Sequence, residues 1–360
     1  MSTPRVFDKL SERKQAGNYR QLKDYSTYID FISNDYLGIS KILGEGVASL
    51  QGSTGSRLLS GQHQEVHELE LFLADFFEAE AALVFHSGYD ANVGLMSALS
   101  QRDTTILYDE YIHASVRDGI RMGSGKSYSF RHNDLGSLKE KLKHAGSGDV
   151  FVVVESLYSM QGDLAPLEDL LLFCEREGLF LIVDEAHSGG LFGEKGKGLL
   201  CELEMQKRVF ARLITFGKAF GSTGAVVLGS EELRNYLINF ARSFIYTTAI
   251  SSGQCLSIRR AVEEASINTK RELLSENIQY FRNMMGIEGR SRSPIQMLRV
   301  TDLSRAQGQE QALWKAGIAC KLIQAPSIER GQEAFRICLH AYNSREEIDK
   351  LCQILNSGKG

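Results

Sequence analysis

The chain has 360 residues, 43% hydrophobic and 24% charged, a balance that excludes disordered, fibrous and collagen-like classes. With 41 basic against 45 acidic residues, the net charge of −4 gives no general attraction to nucleic acid or an anionic membrane, although a local pocket can still hold a phosphorylated ligand. The N-terminal ten residues lack a basic-then-apolar leader pattern, no apolar run reaches the ~18–20 residues that cross a bilayer, and the six cysteines form no CxxC pair, so a cytosolic chain with reduced, mostly buried thiols and no zinc site is expected.

Residues 1–45 read as a polar, helical segment with one strand at 28–32. From 48 to 230, helical and strand patterns alternate: an amphipathic helix at 66–77, a short apolar strand at 82–85 and a helix at 91–99. Two runs, 150–154 and 179–183, are apolar throughout and read as central strands joined by a crossover helix at 166–177. Two more strands, 213–216 and 225–228, flank a glycine-rich turn. Such alternation predicts a parallel sheet with helices on both faces. Beyond residue 252 the pattern changes to long helices at 256–275 and 277–285. A smaller αβ unit follows, with strands at 297–300, 318–322 and 335–339 and helices at 309–315 and 344–355. The expected division is an N-terminal segment (1–45) packing with the small domain, a large domain (46–252), and a linking helix with the small domain (253–360). Only 4 prolines and no Ser/Gly-rich stretch leave no flexible linker between them.

In an open α/β sheet, ligands bind beyond the carboxyl ends of the strands. Polar residues follow apolar runs there in five places: His86-Ser87-Gly88-Tyr89, Asp109 to His113, Glu155 to Ser159, Asp184 to His187, and Thr215 to Lys218. Asp184 ends the run Leu179 to Val183, where a buried carboxylate is costly without a cation; capping the next helix is its plainer role. Lys218 lies between Phe216 and Phe220, a setting that predicts desolvation and hence an imine-forming nucleophile, against the alternative of a snorkelling surface lysine. His113, Glu155 and His187 taken singly read as structural. Gly123-Ser124-Gly125-Lys126-Ser127 partly matches a phosphate-binding P-loop, but Ile120 stands where its first glycine should be, and Ser127 to Phe130 continues as a strand.

Together these segments resemble the α-oxoamine synthases, pyridoxal-phosphate (PLP) enzymes that condense an amino acid with an acyl thioester and lose CO2. The resemblance runs through Ser33 to Gly38, Gly55 to Gly61, Ser87-Gly88-Tyr89 with Asn92, His113-Ala114-Ser115, His132-Asn133-Asp134, Glu155 with Ser159 to Asp163, Asp184 to His187, and Thr215 to Gly221. It implies a fold-type I PLP-dependent transferase with a mostly parallel seven-stranded sheet and a smaller C-terminal αβ domain. It implies that Lys218 carries the cofactor, that Asp184 pairs with its ring nitrogen, and that His187 bonds its phenolic oxygen. His113 then stacks on the ring and Glu155 joins the catalytic candidates, while Gly88, Tyr89, Ser159 and Thr215 contact the phosphate. Thr247 and Thr248 match residues that reach the partner subunit's phosphate site, implying a homodimer. Arg336 matches the residue that clamps the substrate carboxylate; Asn34, Arg20 and Ser327 are further substrate-binding candidates. Ser327 and Glu329 depart from the family's Pro-Thr-Val-Pro segment, which bears on acyl contacts rather than on the cofactor. The Ser56-Arg57-Leu58 signature resembles the branch that joins alanine to a pimeloyl thioester of CoA or carrier protein in biotin assembly. Relatives that use glycine or serine, and a cofactor-free scaffold with this fold, are the alternatives.

Overall fold

The computed structural model describes residues 7–15, 19–22, 52–288, 291–324 and 328–357. The expected strand at 28–32, Asn34 and Ser327 lie outside them. The chain divides into two compact units, one of Met1–Ser156 with Ala165–Ser266 and the other of Leu157–Leu164 with Ile267–Gly360.

Strand β1 (Ala81–Phe85) is buried along its whole length. Leu83 and Phe85 point into one hydrophobic cluster, and Ala82 and Val84 into another, as the twofold period of a strand dictates. A sheet covered on both faces needs such uniformly apolar strands. Six further strands complete the sheet: β2 (Thr105–Asp109), β3 (Lys126–Phe130), β4 (Val150–Glu155), β5 (Phe180–Asp184), β6 (Ala211–Thr215) and β7 (Ala225–Gly229). Their order is β1-β7-β6-β5-β4-β2-β3. All neighbours pair in parallel except β7, which is antiparallel to both β1 and β6. Two antiparallel steps restore the direction, so β1 runs with β4, β5 and β6 and their carboxyl ends share one edge.

One face of the sheet is covered by helices Gly88–Leu99 and Glu231–Phe240, the other by Gln64–Phe76 and Ser252–Ala265. The last of these corrects the expected division at residue 253. Cys255, Ile258 and Val262 form the helix's apolar stripe and bury it in the same cluster as Val66, Leu69 and Leu73, so it belongs to the first unit. The helix expected at 256–275 is likewise two helices, Ser252–Ala265 and Asn268–Met285, broken at Ser266 and Ile267.

The second unit holds a three-stranded antiparallel sheet ordered β8 (Ile295–Arg299), β10 (Ala334–Cys338), β9 (Lys321–Ile323). Helices Asn268–Met285, Leu303–Lys315 and Arg345–Asn356 share a core with it, built on Phe281, Leu313, Phe335 and Leu351. All six cysteines are free; Cys174, Cys255 and Cys352 are buried and Cys338 is exposed. Among the described residues no helix is long and apolar enough to cross a membrane.

Candidate active site

The registers line up the strand ends. Glu155 is paired with Asp184 and Asp184 with Leu213, while Thr215 and Phe85 flank Ala225. Asp184 is therefore the last residue of a central strand, 5% exposed. It accepts from the Ala186 backbone N–H at 2.9 Å and from Asn92 Nδ2 at 2.8 Å. Among the described residues both partners are neutral, which leaves a buried carboxylate in want of a cation. Three residues on, His187 Nε2 lies 2.7 Å from Lys218 Nζ, so the side chains after β5 and β6 meet above the sheet edge.

Lys218 itself is exposed, which corrects the expectation of desolvation. The flanking aromatics do not enclose it: Phe216 and Phe220 turn into the core, their rings 5.6 Å apart at 68°, and the lysine between them faces outward.

Ser87 caps helix Gly88–Leu99, its hydroxyl accepting from Asp90 N–H at 3.1 Å. Gly88 sits against Thr215: a β-carbon there would lie 3.4 Å from both Cβ and Oγ1 of the threonine. The amides of Gly88 and Tyr89 open the helix, where N–H groups lack intrahelical acceptors and the helix dipole favours an anion. Tyr89 leans outward, its hydroxyl donating to Asp118 Oδ2 at 2.9 Å.

His113 follows β2 and precedes helix Ala114–Arg121. It caps that helix through its ring, with Nδ1 3.2 Å from Ser115 N and 2.7 Å from Ser115 Oγ. Asn92 Nδ2 also reaches Ser115 Oγ at 3.0 Å, so Asp184, Asn92, Ser115 and His113 form one continuous chain. His132 fastens the adjoining loop, its Nδ1 3.0 Å from the buried Asp109 carboxylate while its ring lies 4.5 Å from that of Tyr111.

The remaining candidates fall elsewhere. Glu155 is buried beside Asp184 at the end of β4. Ser159 lies in the short excursion Leu157–Leu164 of the second unit, where its carbonyl accepts from Arg336 Nε at 2.8 Å. Arg20 is tied to the end of helix Glu231–Phe240, its Nη1 donating to Asn239 O at 2.8 Å and its backbone N–H to Asn239 Oδ1 at 2.9 Å. Thr247 and Thr248 follow helix Arg242–Ile245 in a segment without regular structure, held by His86 on the Thr248 carbonyl, His63 on Ile250 O and Gly55 O on Ala249 N. Arg57 is not available to substrate: it is 4% exposed and ion-paired to Glu70 at 2.5 Å. Gly123-Ser124-Gly125 is a turn packed on Ser100 that leads into β3, so Lys126 opens a strand and not a helix.

Four residues shape the site although their sequence context assigns them no role. Asn92 and Ser115 stand inside the motifs that carry the resemblance, and an asparagine in the run Ala91–Leu99, buried on every side, is a polar group that must find a partner. Glu185 and Arg212 form a buried ion pair, Nη2 to Oε2 2.7 Å, directly behind Asp184. An arginine in the apolar run of β6 was the available signal.

A buried acid at a strand end, a lysine–histidine pair above it, a helix N-terminus beside a threonine and a histidine on the flank fit PLP, which offers a protonatable ring nitrogen, an aldehyde and a phosphate. Fold and site together define a fold-type I PLP-dependent transferase. The profile of the family "Aminotransferase class I and II" matches residues 26–355. The 8-amino-7-oxononanoate synthase of Emericella nidulans is 37% identical, covering 92% of this chain and 89% of its own. A solved structure of SPT with its PLP internal aldimine superposes with a TM-score of 0.81 at 27% identity, covering 92% of this chain and 85% of that one. The 8-amino-7-oxononanoate synthase of Francisella tularensis gives a TM-score of 0.72 at 28% identity, with 92% and 97% covered. The chain belongs to the aminotransferase class I and II family and, within it, to the α-oxoamine synthases.

Proposed function

We propose that this enzyme condenses L-alanine with a pimeloyl thioester, releasing CO2 and the free thiol and forming 8-amino-7-oxononanoate for biotin assembly. The observation that carries the cofactor half is the buried Asp184 carboxylate, held by neutral donors at the strand end beside the Lys218–His187 pair. The substrate half rests on the names of the relatives.

PLP, when bound, supplies a ring that accepts the electron pair released at the amino acid's Cα. Asp184 keeps the proton on the ring nitrogen, and Asn92 and Ala186 hold that carboxylate in place. Lys218 would hold the cofactor, and its Nζ would be the base that takes up the Cα proton. His187, 2.7 Å from that nitrogen, orients it and bonds the ring oxygen. His113 covers the ring face. The amides of Gly88 and Tyr89, with the hydroxyls of Thr215 and Ser159, bind the phosphate. Arg336 holds the substrate carboxylate, a task suited to its planar fork. Thr247 and Thr248 complete a second copy's phosphate site in a homodimer; the exposure of Thr248 and the three-point anchoring of its segment support that assignment.

The test offers alanine, glycine and serine in turn with pimeloyl-CoA, pimeloyl carrier protein and palmitoyl-CoA, and measures free thiol. Alanine with a pimeloyl donor should turn over fastest. Preference for glycine, or for serine with palmitoyl-CoA, would move the enzyme to another branch of the family.

A further inference from the structure

We propose that Asn92 and Ser115 are positioning residues that couple Asp184 to His113, fixing the carboxylate and the imidazole with one directed chain of hydrogen bonds. The inference rests on the assignment of Asp184 and His113 to the cofactor.

The direction of the chain follows from its donors. Asn92 Nδ2 lies 2.8 Å from Asp184 Oδ2 and 3.0 Å from Ser115 Oγ. An amide turned the other way would set its oxygen against the carboxylate, so the carboxylate fixes which end faces it, and the NH2 group spends one hydrogen on each neighbour. Ser115 Oγ thereby becomes an acceptor, and its own hydrogen points to His113 Nδ1 at 2.7 Å. Ser115 N–H points to the same nitrogen at 3.2 Å. His113 Nδ1 therefore accepts, and the neutral ring carries its proton on Nε2.

Burial makes the arrangement stiff. Asn92 is 4% exposed and Ser115 is fully buried, so water does not compete for these bonds. They also join two helices: Asn92 lies on the first turns of Gly88–Leu99 and Ser115 on the first turn of Ala114–Arg121. Gly119 keeps those helices close, since a β-carbon there would come within 2.8 Å of Met96 Cβ. A shift of either helix moves the acid and the histidine together.

The test uses 15N-histidine-labelled holoenzyme, with His113 assigned from the resonance lost in His113→Gln. The wild type should show an unprotonated Nδ1 and a protonated Nε2. Asn92→Leu should move the His113 signals, although Asn92 does not touch His113, and should raise the PLP dissociation constant by on the order of tenfold to a hundredfold, the loss of one hydrogen bond to a charged group. Ser115→Ala should move the same signals and weaken PLP severalfold, and Ser115→Thr, which keeps the hydroxyl, should restore both. A proton on Nδ1 in the wild type, or His113 signals unmoved by Asn92→Leu, would overturn the coupling. If Asn92→Leu does not fold, the Ser115 pair decides: PLP affinity unchanged in Ser115→Ala, or unrestored in Ser115→Thr, refutes it. Borohydride trapping of PLP on Lys218 in the same samples separates this outcome from failure of the cofactor assignment, because the wild-type tautomer is read independently.

Discussion

Replacing Glu185 by leucine tests whether the ion pair behind Asp184 holds the site's floor. Glu185 is fully buried and its carboxylate receives Arg212 Nε at 2.8 Å, Ser188 Oγ at 2.9 Å and Leu200 N–H at 3.0 Å. Arg212, 1% exposed, would keep the carbonyls of Phe77 and Lys197, at 2.7 and 2.8 Å, and its hydrogen bond with Cys201. Removing one partner of a buried pair costs about 3–5 kcal/mol because the other charge is stranded. The retained partners of Arg212 soften that and Ser188 keeps Ser156 Oγ at 2.8 Å, whereas the orphaned Leu200 N–H adds to it, so about 4 kcal/mol is expected for Glu185→Leu. Adding Arg212→Met removes the stranded charge, and the double variant should recover about 1–3 kcal/mol relative to Glu185→Leu alone. Urea unfolding of the wild type, both single variants and the double variant, followed by far-ultraviolet circular dichroism, gives the cycle. A Glu185→Leu cost below about 1 kcal/mol, or a double variant equal to the sum of the singles, would mean that the pair does not hold the floor.

Acid should act through Glu70. Burial pushes its pKa up, but Arg57, with Arg234 and the Val84 N–H, outweighs burial and holds it below the ordinary value. A depressed folded pKa gives stability that is complete above the unfolded value of about 4.3 and lost as pH falls toward the folded one. Glu70→Gln should therefore flatten the loss of stability below about pH 4, and an acid-unfolding curve parallel to wild type would contradict this. Burial pushes the Cys174 and Cys255 thiols up to about 12, whereas Cys338 is exposed. Iodoacetamide on the folded protein should label Cys338 first and spare the other two until unfolding, as peptide mapping will tell. Arg336→Lys loses the bond to Ser159 O and the planar fork together. Amino-acid binding, followed by titrating the cofactor absorbance, should weaken by about 1.5–3 kcal/mol, and an unaltered dissociation constant would mean that the carboxylate is held elsewhere.

The central strands were legible because burial on both faces leaves an apolar run with no alternation, as at 150–154 and 179–183. Strand β3, Lys-Ser-Tyr-Ser-Phe, has no such run because it is a mostly exposed edge strand; Ser127 to Phe130 was nonetheless legible as a strand, while its partner β2 was not. The domain boundary was misplaced for a related reason. The stripe Cys255, Ile258 and Val262 announces an amphipathic helix but not the surface it covers, and only the sheet's second face decides that. Within the site, Asp184 and Lys218 could be found from their positions after apolar runs. The desolvation inferred for Lys218 failed because adjacent aromatics in sequence need not share a side in space. Asn92 and Ser115 draw their role from two helices meeting, a contact across 23 residues of chain that no local pattern encodes.

Where the cofactor is attached can be read by borohydride reduction of the PLP-loaded enzyme followed by mass spectrometry of its peptides. The cofactor should be found on the peptide containing Lys218, with the visible absorbance lost on reduction and no such adduct in Lys218→Ala. An adduct on Lys126 or Lys195, or none on any lysine, would contradict the assignment of this site.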